Sequence, residues 1–409
     1  MPRKSHSFRG IVLAVSAAGV AVSLGACTPP MPPDVMAAVA ESQVTCQSGT
    51  VSVAVPDDLL GSMASVGAAL SGVCPEQLVN EVMSTDPAPV RLVSGTPTPD
   101  QIAEFARTDC SVGSPIVVPA FSYPVTVAYN APGLEGLYFT PEAVAGILNG
   151  TVTTFEDPLI ADANEGFDLS GLAPFTVMSV DSYQGPVEAM TQWLAKEAPK
   201  AWTTGPSGTL TASTTYATTQ ELLDNVSMTE SAVAILPGYQ ALTYGLAAAA
   251  LPSTPLNDDG LAGEPVVVMS DDTQLAKVGA GAATVTLNES GTQMIASAAV
   301  GGVPSAENFD LAASKIVLAE GQPMVGWPVM AYAHVLVCDS PADPLPLSFA
   351  QYLVRLAGQG ALETFGVTPL PEPIRIGTFK PLKVTVKADA PLQPSAQSPA
   401  GTAPATATP

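Results

Sequence analysis

The run Tyr123-Pro124-Val125-Thr126-Val127-Ala128-Tyr129-Asn130 alternates its side chains as a strand does, and Pro132-Gly133 then imposes a turn. Pro141-Glu142-Ala143-Val144-Ala145-Gly146-Ile147-Leu148 follows as a helix with proline at its first position, where a missing N–H does no harm and φ is already helical. Asn149-Gly150 closes that helix, and Asp157-Pro158 marks another turn. A second strand-to-helix unit lies upstream. Val51-Ser52-Val53-Ala54-Val55 alternates, and Pro56-Asp57-Asp58 starts a helix through about Leu70, its carboxylates well placed at a positive helix N-terminus. Repeated units of this kind predict an α/β fold.

The same reading predicts strands over 89–93, 115–118, 175–180 and 232–239, and helices over 99–107 and 187–196. Gly326-Trp327-Pro328-Val329 through Val337-Cys338 reads as a long apolar strand, and 347–357 as a helix before Gly358-Gln359-Gly360. Within 250–320 the strands at 266–269 and 279–287 are predicted from short apolar runs alone.

Residues 1–26 read as an export signal: Arg3, Lys4 and Arg9 precede an apolar run from Ile11 to Leu24 that is too short to be a comfortable membrane span. Leu24-Gly25-Ala26-Cys27 looks like a bacterial lipobox, so Cys27 is the expected site of lipidation, with palmitate or a similar acyl chain as the membrane anchor. A plain secretory signal with an incidental cysteine is the other reading. Residues 27–43, rich in proline, form a tether, and 389–409, composed of Pro, Ala, Ser and Thr, a disordered tail. Removing the leader takes three of the 14 basic residues and none of the 37 acidic ones, leaving 11 against 37 and a net charge of −26. That field repels nucleic acid, which is excluded as a partner, and opposes capture of a free anion without a local positive pocket.

In its order of pieces the chain resembles the phosphate-binding proteins of bacterial ABC importers. Tyr129-Asn130 followed by Phe139-Thr140-Pro141-Glu142, Gly238-Tyr239 after an apolar strand, Trp327-Pro328-Val329, Gly358-Gln359 and Pro369-Leu370-Pro371 carry the likeness. It covers about 115–240 and 323–375. The resemblance implies a two-lobed type II periplasmic-binding-protein-like fold with a discontinuous first lobe: 44–121 and 326–388 as lobe 1, and 122–325 inserted as lobe 2. It also implies a small solute as ligand, an ABC permease as partner, and a place on the extracytoplasmic face of the cell membrane. Cys46, Cys74, Cys110 and Cys338 allow three disulfide pairings. Cys46–Cys74 is favoured because it would brace the first strand and helix, and Cys110–Cys338 because it lies beside the two expected crossings between lobes.

In that family an Arg-Ser-Asp-Gly-Ser-Gly-Thr loop opens a second-lobe helix, and its arginine gives the anion a charge-assisted fork. Here the loop is Met178-Ser179-Val180-Asp181-Ser182-Tyr183-Gln184-Gly185-Pro186. Met178 stands where the arginine belongs, no Arg or Lys occurs between 108 and 195, and Pro186 removes a backbone donor. The early binding loop carries Asp57 and Asp58, and the first-lobe aspartate has no clear match, Val93-Ser94-Gly95-Thr96 lying near its expected place. Ser179, Asp181, Ser182, Gln184, Gly185, Asp57, Ser94 and Thr96 are the candidate ligand-binding residues. Three readings of the Asp181 loop stand open: a turn that merely caps its helix, a site for a neutral or cationic solute, or a surviving phosphate site.

Catalysis finds little support. His334 is the sole histidine after the leader and lies in an apolar strand, no Gly-x-Ser-x-Gly turn accompanies it, and the cysteine spacing does not suit zinc. A non-enzyme without metal or cofactor is expected, with an eroded phosphate site. A cell-surface scaffold on a degenerate binding-protein fold is the alternative.

Overall fold

The computed structural model describes residues 39, 41 and 43–384, apart from 183, 212–213, 258–260, 270–282, 303–307, 311–314 and 318–324. The leader with Cys27, nearly all of the tether, Tyr183, the 279–282 part of one expected strand and the 389–409 tail lie outside the described residues.

The main sheet is built from β1 (Gly49–Val55), β2 (Gln77–Met83), β3 (Val90–Ser94), β4 (Ser114–Tyr129), β5 (Thr176–Val180), β6 (Thr214–Tyr216) and β7 (Ala232–Pro237). After these come β8 (Ala247–Ala248), β9 (Leu251–Ser253), β10 (Val266–Val268), β11 (Val285–Leu287), β12 (Met294–Ala296), β13 (Ala299–Val300), β14 (Asn308–Asp310) and β15 (Lys315–Val317), then β16 (Val329–Asp339). Strand order is β2-β1-β3-β16-β4-β7-β5-β6. β1 runs parallel to β2 and β3, and β5 parallel to β6 and β7. Parallel neighbours need crossover connections; α1 (Ser62–Val73) crosses from β1 to β2, α5 (Gly185–Glu197) from β5 to β6 and α6 (Thr219–Met228) from β6 back to β7, while α2 (Pro99–Thr108) precedes β4 and α3 (Pro141–Asn149) and α4 (Pro158–Ala161) follow it.

β4 links the β2-β1-β3-β16 half of the sheet to the β7-β5-β6 half, and these halves with their helices are the two lobes. The first part of β4 pairs with β16 from Ser114 opposite Asp339 to Pro124 opposite Met330, and its last five residues, Val125–Tyr129, pair with β7. Proline cannot donate to a ladder. Pro124 sits where β4 changes partner, and Pro119 beside the bulge between Ala333 and His334. Trp327, buried just before β16, donates its ring N–H to the Val125 carbonyl at 2.8 Å and ties the returning chain to this junction. A large core built around β4 and β16 includes Phe121, Tyr123, Trp193 and Tyr332; smaller clusters lie under α6 and around Cys110 and Cys338. Both expected disulfides are present: Cys46–Cys74 and Cys110–Cys338.

Several elements differ from expectation. The first helix is broken into a 3-10 turn, Asp57–Leu59, and α1, because Gly61 takes a left-handed φ of 90°. Pro237-Gly238 ends β7 early and opens α7 (Gly238–Thr243), so Tyr239 lies on a helix. The helix expected over 347–357 is two, α8 (Leu345–Leu353) and α9 (Leu356–Glu363), separated where buried Arg355 takes extended backbone and its guanidinium donates to the Gln43 carbonyl. α10 (Glu372–Phe379) follows.

Candidate functional site

In open α/β sheets ligands bind beyond the carboxyl ends of the strands. Here the ends of β1, β2 and β3 face those of β5 and β6 across a cleft of about 680 Å³. Asp57, Ser94, Ser182 and Gln184 line it together with Asp58, Arg91 and Thr218. The other four candidates are placed differently. Ser179 is buried in β5, its hydroxyl donating to the Val180 carbonyl, and Asp181, exposed, donates its N–H to the Tyr216 carbonyl at 3.0 Å. Gly185 and Thr96 sit in the contact between lobes rather than on the cleft wall.

Extended backbone at Pro56 carries the chain out of β1, and the turn that follows aims Asp58 inward. The Asp58 carboxylate accepts from the Ser94 hydroxyl, whose oxygen is 2.7 Å from the Tyr123 hydroxyl. Although Asp58 as a residue keeps some exposure, its carboxyl end is packed in. Burial pushes its pKa from 3.8 to about 6, the Ser94 hydrogen bond pulling the other way and neighbouring Asp57 adding to the rise. Burial, and then the Asp58 charge, hold the Tyr123 and Tyr239 hydroxyls well above the usual range. From the other lobe, Tyr239 Oη and Gln240 Nε2 donate to the Asp58 backbone carbonyl, the latter at 3.1 Å.

Gly95 and Gly185 meet backbone to backbone. A Cβ added to Gly95, whose φ is +83°, would lie 2.6 Å from the Gly185 Cα, and one added to Gly185 would lie 2.4 Å from the Gly95 nitrogen. Beside this contact the Thr96 N–H donates to Glu188 Oε2 at 2.9 Å. The Gly95 loop is held from behind by His334. Its Nε2 accepts from the Ala296 N–H at 3.0 Å, which leaves Nδ1–H to donate to the Gly95 carbonyl at 2.8 Å. Burial lowers the His334 pKa to about 4, so the ring is neutral at neutral pH. With both nitrogens engaged it supports a loop and is not poised as a base.

Arg91 is the basic residue on the cleft wall. Its guanidinium donates to Asp109 Oδ2 at 2.9 Å and to the carbonyls of Ser84 and Asp86, so its fork is already engaged by acceptors of the protein itself. Carboxylates of Asp57, Asp58, Glu104 and Asp109 line the same space. The side-chain amide of Gln184, a residue only 9% exposed, has no hydrogen-bond partner among the described residues. Glu188, Tyr123, Tyr239 and Gln240 were not among the candidates. Glu188 carried the one usable signal, an acid in the first turn of the helix opened by Gly185-Pro186. Among the described residues, no group of three or more His, Cys, Asp or Glu could hold a metal ion, and no helix is long and apolar enough to cross a membrane.

The fold is that of the two-lobed phosphate-binding proteins. A high-affinity periplasmic phosphate-binding protein solved with bound phosphate superposes with a TM-score of 0.51 at 12% identity, and a human phosphate-binding apolipoprotein with 0.51 at 14%; each match covers 80% of this chain and 93% of the other. In sequence, 140 residues are 30% identical to the phosphate-binding proteins PstS2 of Mycobacterium bovis and PstS 2 of Mycobacterium tuberculosis. That match takes in 34% of this chain and spans about a third, 36%, of the length of those relatives. No protein-family model matches the chain. The resemblance to phosphate-binding proteins of ABC importers thus appears in both fold and sequence, and the relatives and neighbours are binding proteins rather than enzymes.

Proposed function

We propose that the protein is a lipid-anchored, extracytoplasmic solute-binding protein of the importer type, with a cleft suited to a neutral or cationic hydrogen-bonding solute and not to free phosphate. One observation carries the reading. The cleft wall is lined by Asp57 and Glu104, with the Asp58 carboxyl packed behind it against Ser94, while its arginine is paired with Asp109. An oxyanion would enter against that charge with no fork to receive it, whereas an ammonium or hydroxyl group would find acceptors. The unpartnered Gln184 amide adds a donor and an acceptor on the second lobe's side. The anchor would be Cys27 after removal of 1–26, with 27–43 as tether, 44–121 and 326–388 as lobe 1, 122–325 as lobe 2 and 389–409 as tail. The importer's partner would be an ABC permease.

Titration calorimetry of the mature protein against phosphate, and against a panel of amines, polyols and sugars, tests this. Heat from one of the panel with none from phosphate is the expected result, and phosphate affinity of micromolar or better would refute it. The direct bonds from Thr96 to Glu188 and from Tyr239 and Gln240 to Asp58, which join the lobes through the protein's own groups, favour a second reading: a cell-surface scaffold. Silence towards every solute would support it.

A further inference from the structure

Hinged two-lobed proteins close because a solute bridges the lobes, and without the bridge the open state regains its share. In this chain the bridge is made of the protein's own groups. α5 starts with Gly185 and Pro186 packed directly on the loop after β3, so little room remains for a solute at that helix N-terminus. One turn on, Glu188 reaches across and takes the Thr96 N–H, a free backbone donor on the opposite lobe, at 2.9 Å. A carboxylate accepting from a backbone N–H there makes the kind of contact an oxyanion oxygen would make. The Gly95 carbonyl beside it is already fixed by His334, so the loop is held from behind where Glu188 lands, and the bonds from Tyr239 and Gln240 to the Asp58 carbonyl bridge the lobes beside it.

We propose that Glu188 is a tethered stand-in for a bound anion: its bond to Thr96 holds the two lobes closed with the cleft empty of solute, and takes the donor that an oxyanion would need. This goes beyond the solute class assigned above and does not depend on it, because closure and solute binding are measured separately. A hydrogen bond to a charged acceptor shifts an equilibrium by roughly tenfold to a hundredfold. Loss of the carboxylate should therefore move a visible fraction of molecules to the open state.

The test uses the mature protein carrying spin labels at two exposed positions, one on α1 and one just after α5, through Ala68→Cys and Lys200→Cys. Without solute, the parent should give one narrow interlobe distance that phosphate does not change. Glu188→Ala should add a longer, broader population, and exchange of the Thr96 amide should speed up roughly tenfold or more. Glu188→Gln keeps an acceptor oxygen without the charge and should fall between. A parent already spread over open distances, or a Glu188→Ala distribution identical to the parent's, overturns the proposal. Should Glu188→Ala fail to fold, Thr96 exchange in Glu188→Gln decides: faster exchange supports the latch, unchanged exchange refutes it. A calorimetric failure of the solute reading would leave these distances as they are.

Discussion

Asp58→Asn should make the protein more stable at neutral pH, against the usual rule that a substitution at a packed, hydrogen-bonded residue destabilises. The Asp58 pKa rises from 3.8 to about 6 on folding, chiefly because burial disfavours the charged form. At 1.36 kcal/mol per pH unit, keeping this carboxylate ionised costs the folded state about 3 kcal/mol, an upper value because cleft water screens part of it. The sign follows from the direction of the change. A raised carboxyl pKa means that the folded state binds its proton more tightly, so stability is fully present below 3.8 and lost as pH rises through about 6. Asparagine has the same shape, offers an oxygen to the Ser94 hydroxyl and leaves the Asp58 carbonyl bonds to Tyr239 and Gln240 in place. Urea unfolding of both proteins, disulfides intact, at a series of pH values from 4 to 8 measures the difference. The variant should lead by up to about 3 kcal/mol at pH 7 to 8, and the lead should vanish towards pH 4. A variant less stable than its parent at pH 7, or a gap indifferent to pH, would show that the Asp58 charge is compensated in the cleft and the reasoning wrong.

His334→Leu removes both partners of the ring, leaving the Ala296 N–H and the Gly95 carbonyl buried and unpaired. At about 1 to 3 kcal/mol for each stranded group, a loss of about 3 kcal/mol in urea unfolding is expected, with faster amide exchange at Ala296. Cys110 and Cys338 are 228 residues apart, Cys46 and Cys74 only 28. By loop-closure entropy, Cys110→Ala with Cys338→Ala should cost about 5 kcal/mol and Cys46→Ala with Cys74→Ala about 3.5 kcal/mol. Thermal unfolding checks the ranking, which a reversed order would contradict.

Much of the fold was legible because β4, β16 and the helices opened by Pro99 and Pro141 declare themselves by apolar runs and by proline at helical N-termini. The gaps have physical reasons. β2 is an edge strand in which polar Gln77, Asn80 and Glu81 break any alternation, and β6 is three residues long, so neither carries the apolar pattern that marks a buried strand. The break of the first helix hung on the φ of Gly61 alone. At the site, the sequence itself shows Met178 at the head of the Asp181 loop and no Arg or Lys between 108 and 195. The partnership of Glu188 with Thr96, 92 residues apart, could not be read there, since it exists only once the lobes are packed. The same holds for Tyr123 and Tyr239, whose apolar surroundings in sequence resemble ordinary core.

β16 lies between β3 and β4 in the sheet, although 199 residues (130–328) separate it from β4 and 234 (95–328) from β3. Until residue 339 is available, the first lobe is a sheet torn down its middle, with β3 and the first part of β4 each showing an unpaired row of N–H and C=O groups. The molecule therefore acquires its first half last. Any shortened product ending before Val329 would carry two raw edges side by side, an invitation to pair with a strand from another chain.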